Sequence, residues 1–256
     1  MRQTSLLCVL SLASAALAAR PFLNEPDTMN NLEVFEHYRF RPRVMVDVTD
    51  IESSMGTTIL GHKFSAPFFI SPCATAGLAH AEGEIGLLKA AAEQNILYII
   101  PMTWTIYRDL KKLTKLSIIP KGIQTVEDAV QAVEAGAPAI FLSNHGGRAL
   151  DGSPSAFEVA LEIHKKAPQV FKNIEVYVDG DVHYGTDVLK LLALGVRAVG
   201  LGRSFMYANL YGVEGVSRTA KLLKKEITAS AASLGVADLK KINSSFLELS
   251  PNGWYS

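Results

Sequence analysis

Ser143, Asn144, His145, Gly146, Gly147 and Arg148 stand in a row directly after an apolar run, Ala139–Leu142. A short apolar run bounded by turn formers reads as a buried strand that delivers polar side chains at its end. A histidine in that position can take up a proton near neutral pH. An arginine on the same turn can fork onto a carboxylate with two parallel hydrogen bonds. A base beside a carboxylate clamp is what an enzyme acting on a small hydroxy acid needs. The same residues would also serve as a tight turn with a capped loop, and the stretch alone is compatible with both.

Repetition favours chemistry. Other apolar segments end at Lys121, Asp179 and Arg203, and each leads into a helical pattern. Polar groups gathered at the carboxyl ends of parallel strands are the active-site habit of α/β folds. The elements that must hold these residues alternate. Strand patterns cover Phe68–Pro72, Ile96–Ile100, Leu116–Pro120, Ala139–Leu142, Glu175–Val178 and Ala198–Leu201. Helical patterns cover Glu82–Gln94, Ile106–Thr114, Val126–Ala135, Ala156–Lys166, Thr186–Leu194 and Val213–Leu234. Gly136 and Gly195 stop two of these helices in the usual way. Alternation of this kind implies a parallel sheet with right-handed crossovers. A closed (β/α) barrel needs eight strands, and about six of the repeating kind are recognisable. Before them, residues 20–40 read as polar and irregular, and Thr57–Gly61 with Lys63–Ser65 reads as a short hairpin. His37 and His164 read as surface positions, and His80 as a cap or local hydrogen-bonding residue.

The 256 residues suit one domain, and 25 basic residues balance 25 acidic ones. Nothing in that balance points to nucleic acid or to an anionic membrane surface. Residues 1–19 read as a secretory leader, with Arg2 ahead of the apolar stretch Leu6–Ala18 and a cut expected at Ala19. That stretch is too short to span a membrane. The expected location is the secretory pathway or outside the cell, with a mitochondrial address as the alternative and residues 20–256 as the working domain. Loss of the leader removes Cys8 and leaves Cys73 without an intramolecular disulfide partner. Asn243-Ser244-Ser245 would then be a glycosylation acceptor.

Seven stretches carry a family resemblance: RFRPRVMVDVTDI, TTILGHKFSAPFFISP, HAEGE, IIPKGI, SNHGGRALDG, YVDGDVHYGTDVLKLLALG and AVGLGRSF. In them the chain resembles the FMN-dependent α-hydroxy acid dehydrogenases and oxidases, over most of residues 39–235. The resemblance implies a TIM barrel with FMN at its carboxyl-end mouth. It implies His145 as the catalytic base and Arg148 as the residue that grips the substrate carboxylate. It places Lys121 near the pyrimidine edge of the flavin, where positive charge favours electron uptake. Gly202 and Arg203 match the pair that receives the phosphate, and Pro72, Cys73 and Ala74 match a turn that meets the flavin through backbone. The implied partners are a small 2-hydroxy acid and oxygen or another electron acceptor, with no metal. A homo-oligomer is compatible with the resemblance.

The chain also departs from that family. The helical segment before RFRPR, which carries a substrate-touching tyrosine in the family, is reduced to Asn30-Asn31-Leu32-Glu33-Val34-Phe35. Pro101-Met102 runs directly into Thr103-Trp104, as though the third and fourth barrel strands had been removed. Several flavin and substrate contacts would leave with that block, including the aspartate that orients the catalytic histidine. Finally, the family's Asp-Gly-Gly followed by an arginine reads here Asp179-Gly180-Asp181-Val182-His183. Asp179, Gly180 and His183 therefore keep cofactor-side positions while Asp181 adds an anion where a phosphate is expected. The sequence-level expectation is an incomplete TIM barrel and an FMN-dependent oxidation of a 2-hydroxy acid to a 2-oxo acid. The alternatives are a non-catalytic remnant with weak or no FMN binding, and another FMN- or phosphate-binding TIM-barrel enzyme.

Overall fold

A computed structural model of the chain describes residues 9–11, 26–43, 46–71, 79–98, 119–148, 150 and 152–249. Its main sheet has seven strands in the order β1-β6-β7-β8-β9-β4-β5. These are β1 Val9–Ser11, β4 Phe68–Ile70, β5 Leu97–Tyr98, β6 Ile119–Ile123, β7 Ala139–Leu142, β8 Glu175–Asp179 and β9 Ala198–Leu201. Every pairing in it is parallel. The pairing of β4 with β9 joins the start of the repeat to its end, which curls the sheet as a barrel does. Among the described residues no ladder links β5 to β1.

Period-two alternation decides what each strand contributes. Phe69, Ile119, Ala139, Phe141, Tyr177 and Ala198 face inward and pack with Ile59 in an interior cluster. Their neighbours Phe68, Ile70, Ile140, Leu142, Val176, Val178, Val199 and Leu201 face the helices and belong to the larger core. The interior rings of Phe69, Phe141 and Tyr177 meet edge to face at centroid distances of 5.3–6.4 Å. A hairpin, β2 Thr57–Ile59 and β3 His62–Phe64, closes the amino-terminal end of the curl. Glu175 holds it there by accepting the Leu60 backbone N–H at 3.1 Å and the Tyr177 hydroxyl at 2.5 Å.

The helices begin and stop as their sequences dictate. Ser155 and Glu158 form a reciprocal capping box at the start of Ala156–Lys166. Thr125 caps Val126–Glu134 by accepting the Asp128 N–H. The long helix Gly212–Leu234 lies along Gly83–Gln94 and Gly185–Ala193 and ends on Gly235 in the left-handed conformation.

Several expectations change. Residues 20–40 are not irregular throughout: Pro26–His37 is a helix, with Val34 and Phe35 buried and Phe35 against Phe157. Its polar amino-terminal turn masks the apolar stripe in the sequence. The strand expected to stop before Lys121 is Ile119–Ile123, so Lys121 lies inside it. His164 is half-buried rather than a plain surface residue, with Nδ1 2.9 Å from the Leu194 carbonyl oxygen. His80 does make the local bond expected of it, its Nδ1 accepting the Glu82 N–H. β1 falls within the stretch read as a leader and pairs with β6 from Val9↔Ile119 to Ser11↔Lys121. The expected helix Ile106–Thr114 lies outside the described residues, as do Pro72, Cys73 and Ala74.

Candidate active site

The inward alternation continues one step past the interior aromatic layer. Two residues on from Phe69, Ile119, Phe141, Tyr177 and Ala198 stand Ser71, Lys121, Ser143, Asp179 and Gly200. A polar layer therefore floors the mouth of the curl, directly above an apolar one. An irregularity in the β6–β7 register between Lys121 and Ile123 lets Lys121 face inward while Ile123 returns to the helix side. Gly200 has to be glycine, because a Cβ there would sit 2.3 Å from Ser71 Oγ and 2.8 Å from the Phe69 ring.

In this layer Lys121 Nζ lies 3.0 Å from Asp179 Oδ2, and Ser71 Oγ donates to the same oxygen at 2.7 Å. Both charged side chains are nearly inaccessible, at 4% and 10% of their full exposure. Burial alone would raise the Asp179 carboxyl, yet Lys121, Ser143 and Ser71 hold it below the usual carboxylate range. Lys121 also sits 4.9 Å above the centre of the Phe141 ring.

The turn after β7 presents His145 and Arg148. His145, Gly146 and Gly147 all have positive φ, at 62°, 68° and 77°. Glycine adopts that region without penalty, whereas at His145 it is strain of the kind that gathers at functional sites. Asn144 locks the turn: its Oδ1 accepts the Gly147 N–H at 3.0 Å and its carbonyl accepts Arg148 N–H at 3.2 Å. Asn144 is itself clamped by a reciprocal amide pair with Asn31, at 2.7 and 3.0 Å, and donates to the Pro154 carbonyl. The helix Pro26–His37 thus reaches the site through Asn31. Arg148 Nε donates to the His145 carbonyl at 3.0 Å, which ties the two residues together. Partial burial, then the charges of Lys121 and Arg148, lower the His145 pKa to about 4, against an opposing pull from Asp179. Its ring is therefore neutral at neutral pH and able to accept a proton.

At the far side stand β8 and β9. Arg203, the first residue of the short helix Arg203–Ala208, forms an ion pair with Asp181. The Asp181 side chain is only 3% exposed and its backbone has φ of 48°, a conformation suited to glycine. His183 is exposed, its Nε2 3.7 Å from Asp181 Oδ1, and Asp187 fixes its backbone by accepting the N–H groups of His183 and Tyr184. The two arginines converge: a Cβ on Gly146 would lie 3.2 Å from Arg203 Nη2 and 3.7 Å from Arg148 Nη2.

Lys121, His145, Arg148, Asp179, Gly180, His183, Gly202 and Arg203 thus line one cleft, together with Ser71 and Asp181. Asn31 and Ser71 have no signal in the sequence as site residues. Asn31 could be suspected only once its helix is known, and Ser71 only by counting two residues on from Phe69. The ring and substrate side of this cleft fits a flavin: a buried lysine, a neutral histidine and an arginine converge there. The phosphate side does not fit, because the cation that would receive a phosphate is already held by a carboxylate. Among the described residues no group of three or more His, Cys, Asp or Glu side chains is arranged to bind a metal ion, and no helix is long and apolar enough to cross a membrane.

Known proteins place the family and the fold. The family model described as FMN-dependent dehydrogenase matches residues 23–103 and 100–249. The two pieces meet where the sequence suggests a removed block. L-lactate dehydrogenase (cytochrome) of Saccharomyces cerevisiae is 45% identical over 152 residues, covering 58% of this chain and 26% of that protein. Its counterpart in Wickerhamomyces anomalus is 27% identical, covering 88% of this chain and 56% of that protein. The chain therefore spans between about a quarter and just over half of these two relatives. A peroxisomal (S)-2-hydroxyacid oxidase of Arabidopsis thaliana is 30% identical over 81% of this chain and 84% of its own length. A solved flavocytochrome b2 double mutant with pyruvate bound superimposes at a TM-score of 0.79 with 27% identity, over 91% of this chain and 81% of that one. The chain has the TIM-barrel fold of those structures and belongs to the FMN-dependent dehydrogenase family.

Proposed function

We propose that this chain oxidises a small 2-hydroxy acid to the 2-oxo acid, with a bound flavin as the electron acceptor. The observation that carries the reading is the single turn Asn144–Arg148, which sets a neutral histidine and an arginine beside the buried Lys121–Asp179 pair. Arg148 would hold the substrate carboxylate by two hydrogen bonds and fix which face of C2 is presented. His145 would take the proton from the substrate hydroxyl as the carbonyl forms. The flavin, when bound, would supply a two-electron acceptor. Lys121 would add positive charge at the floor of the cleft, and Asp179 would keep that charge tolerable in a buried layer. Oxygen or a protein partner would receive the electrons afterwards, since the relatives include both an L-lactate oxidase of Nostoc and the L-lactate dehydrogenase (cytochrome) of Saccharomyces cerevisiae.

A second reading, a remnant that retains the site but binds FMN poorly, is favoured by the Asp181–Arg203 pair. Flavin-loaded protein, mixed without oxygen with 2-hydroxy acids and with their methyl esters, separates the two. Loss of flavin colour with the acids alone supports oxidation through a carboxylate clamp. Failure to retain flavin, or no loss of colour with any acid, supports the remnant.

A further inference from the structure

We propose that Asp181 converts the phosphate end of this cleft into a hydroxyl-binding subsite, so that the chain takes riboflavin, the flavin without a 5′ phosphate, in preference to FMN. The inference rests on the reading of the cleft as a flavin site. Three observations carry it. The Arg203 guanidinium is paired with one oxygen of Asp181, so the local positive charge is neutralised within the protein. Asp181 Oδ2 is buried and has no hydrogen-bond partner among the described residues, although the residue lines the cleft. A buried carboxylate oxygen without a donor is costly, and a ligand hydroxyl would satisfy it where a phosphate would only repel it. The backbone of Asp181 sits at φ 48°, where glycine costs nothing, so the carboxylate is held there against conformational preference.

The surrounding charges do not restore a phosphate site. His183 approaches the same Asp181 oxygen that Arg203 holds, at 3.7 Å, and is exposed. Arg148 Nη2 approaches the same point beside Gly146 as Arg203, but its Nε donates to the His145 carbonyl, which ties it to the turn after β7. A site built to receive a hydroxyl discriminates strongly because its polar groups are left unpaired by any other ligand.

The test compares the full chain with Asp181→Gly and Asp181→Asn, both compatible with the left-handed backbone and checked for folding by circular dichroism. Each protein, stripped of ligand, is titrated with riboflavin and with FMN by flavin fluorescence, and with inorganic phosphate by phosphorus NMR line broadening. The unmodified chain is expected to bind riboflavin more tightly than FMN and to show no phosphate binding. Either substitution should shift the ratio toward FMN by at least tenfold, about 1.4 kcal/mol, and should create phosphate binding. Tighter binding of FMN by the unmodified chain, or a ratio that neither substitution changes, overturns the proposal while leaving the flavin site intact. If neither flavin binds any of the three proteins, the flavin reading falls and this proposal falls with it.

Discussion

His145→Gln should remove a specific part of the acid sensitivity of this fold. The folded pKa of His145 is lowered to about 4, chiefly by burial, from an unfolded value of 6.5. The sign follows from proton counts. Between pH 6.5 and about 4 the unfolded chain binds a proton at this residue and the folded chain does not, so stability falls as pH falls through that window. Above pH 6.5 the two states agree, and below about pH 4 the loss is complete. At 1.36 kcal/mol per pKa unit, the loss by pH 4.5 is about 2 kcal/mol, after allowing for the part of the ring that solvent reaches. The assay is urea unfolding of both proteins at pH 7.5 and pH 4.5. The stability difference between them should move by about 2 kcal/mol in favour of the glutamine variant at the lower pH. Strain from a side chain at positive φ is present at both pH values and cancels in that comparison. An unchanged difference between pH 7.5 and 4.5 would refute the burial argument. The same pKa sets the acid limb of kcat/KM, which should fall near pH 4–5 rather than near the ordinary histidine range.

Asp179→Asn should destabilise the chain by about 3 kcal/mol in denaturant unfolding, since it strands the buried Lys121 ammonium without its counter-charge. Because the Asp179 carboxyl is held below its usual range, its own stabilising contribution is full above the unfolded pKa of about 4 and fades as pH drops through the folded value. Arg148→Lys should raise KM for 2-hydroxy acids by tenfold or more while leaving flavin affinity unchanged, and an unaltered KM would remove the carboxylate clamp. Gly185→Ala should cost about 2 kcal/mol, because the added Cβ would meet the Ile227 backbone nitrogen at 2.7 Å and the Glu226 carbonyl carbon at 2.9 Å. A melting temperature equal to that of the parent would show that the two helices part more easily than their packing implies.

The carboxyl-terminal half of the fold is legible in the sequence because each unit carries its own punctuation. Gly136 and Gly195 mark helix ends, and the strands between are short apolar runs. The strand expectations Ala139–Leu142 and Ala198–Leu201 and the helix Ala156–Lys166 match the structure residue for residue. The helix Pro26–His37 is not legible, since its opening residues are polar but for Met29 and its link to the site is one amide, Asn31, whose partner is Asn144. His145, Arg148 and Lys121 can be singled out by type and position. What escapes the sequence is pairing across strands: Asp179 with Lys121 joins β8 to β6, and Asp181 with Arg203 joins the turn after β8 to the helix after β9. The sequence shows that Asp181 is an added anion, and only the geometry shows that it pairs with Arg203.

The central claim is that His145 and Arg148 form a working base and clamp for a 2-hydroxy acid. The most direct measurement is the amount of 2-oxo acid formed in a single anaerobic turnover, by flavin-saturated protein and by its His145→Gln variant. The expected result is one 2-oxo acid per bound flavin from the parent and a rate at least a hundredfold lower from the variant, the usual worth of a positioned general base. Equal rates from the two proteins, or no 2-oxo acid from the parent with its flavin bound, would contradict it.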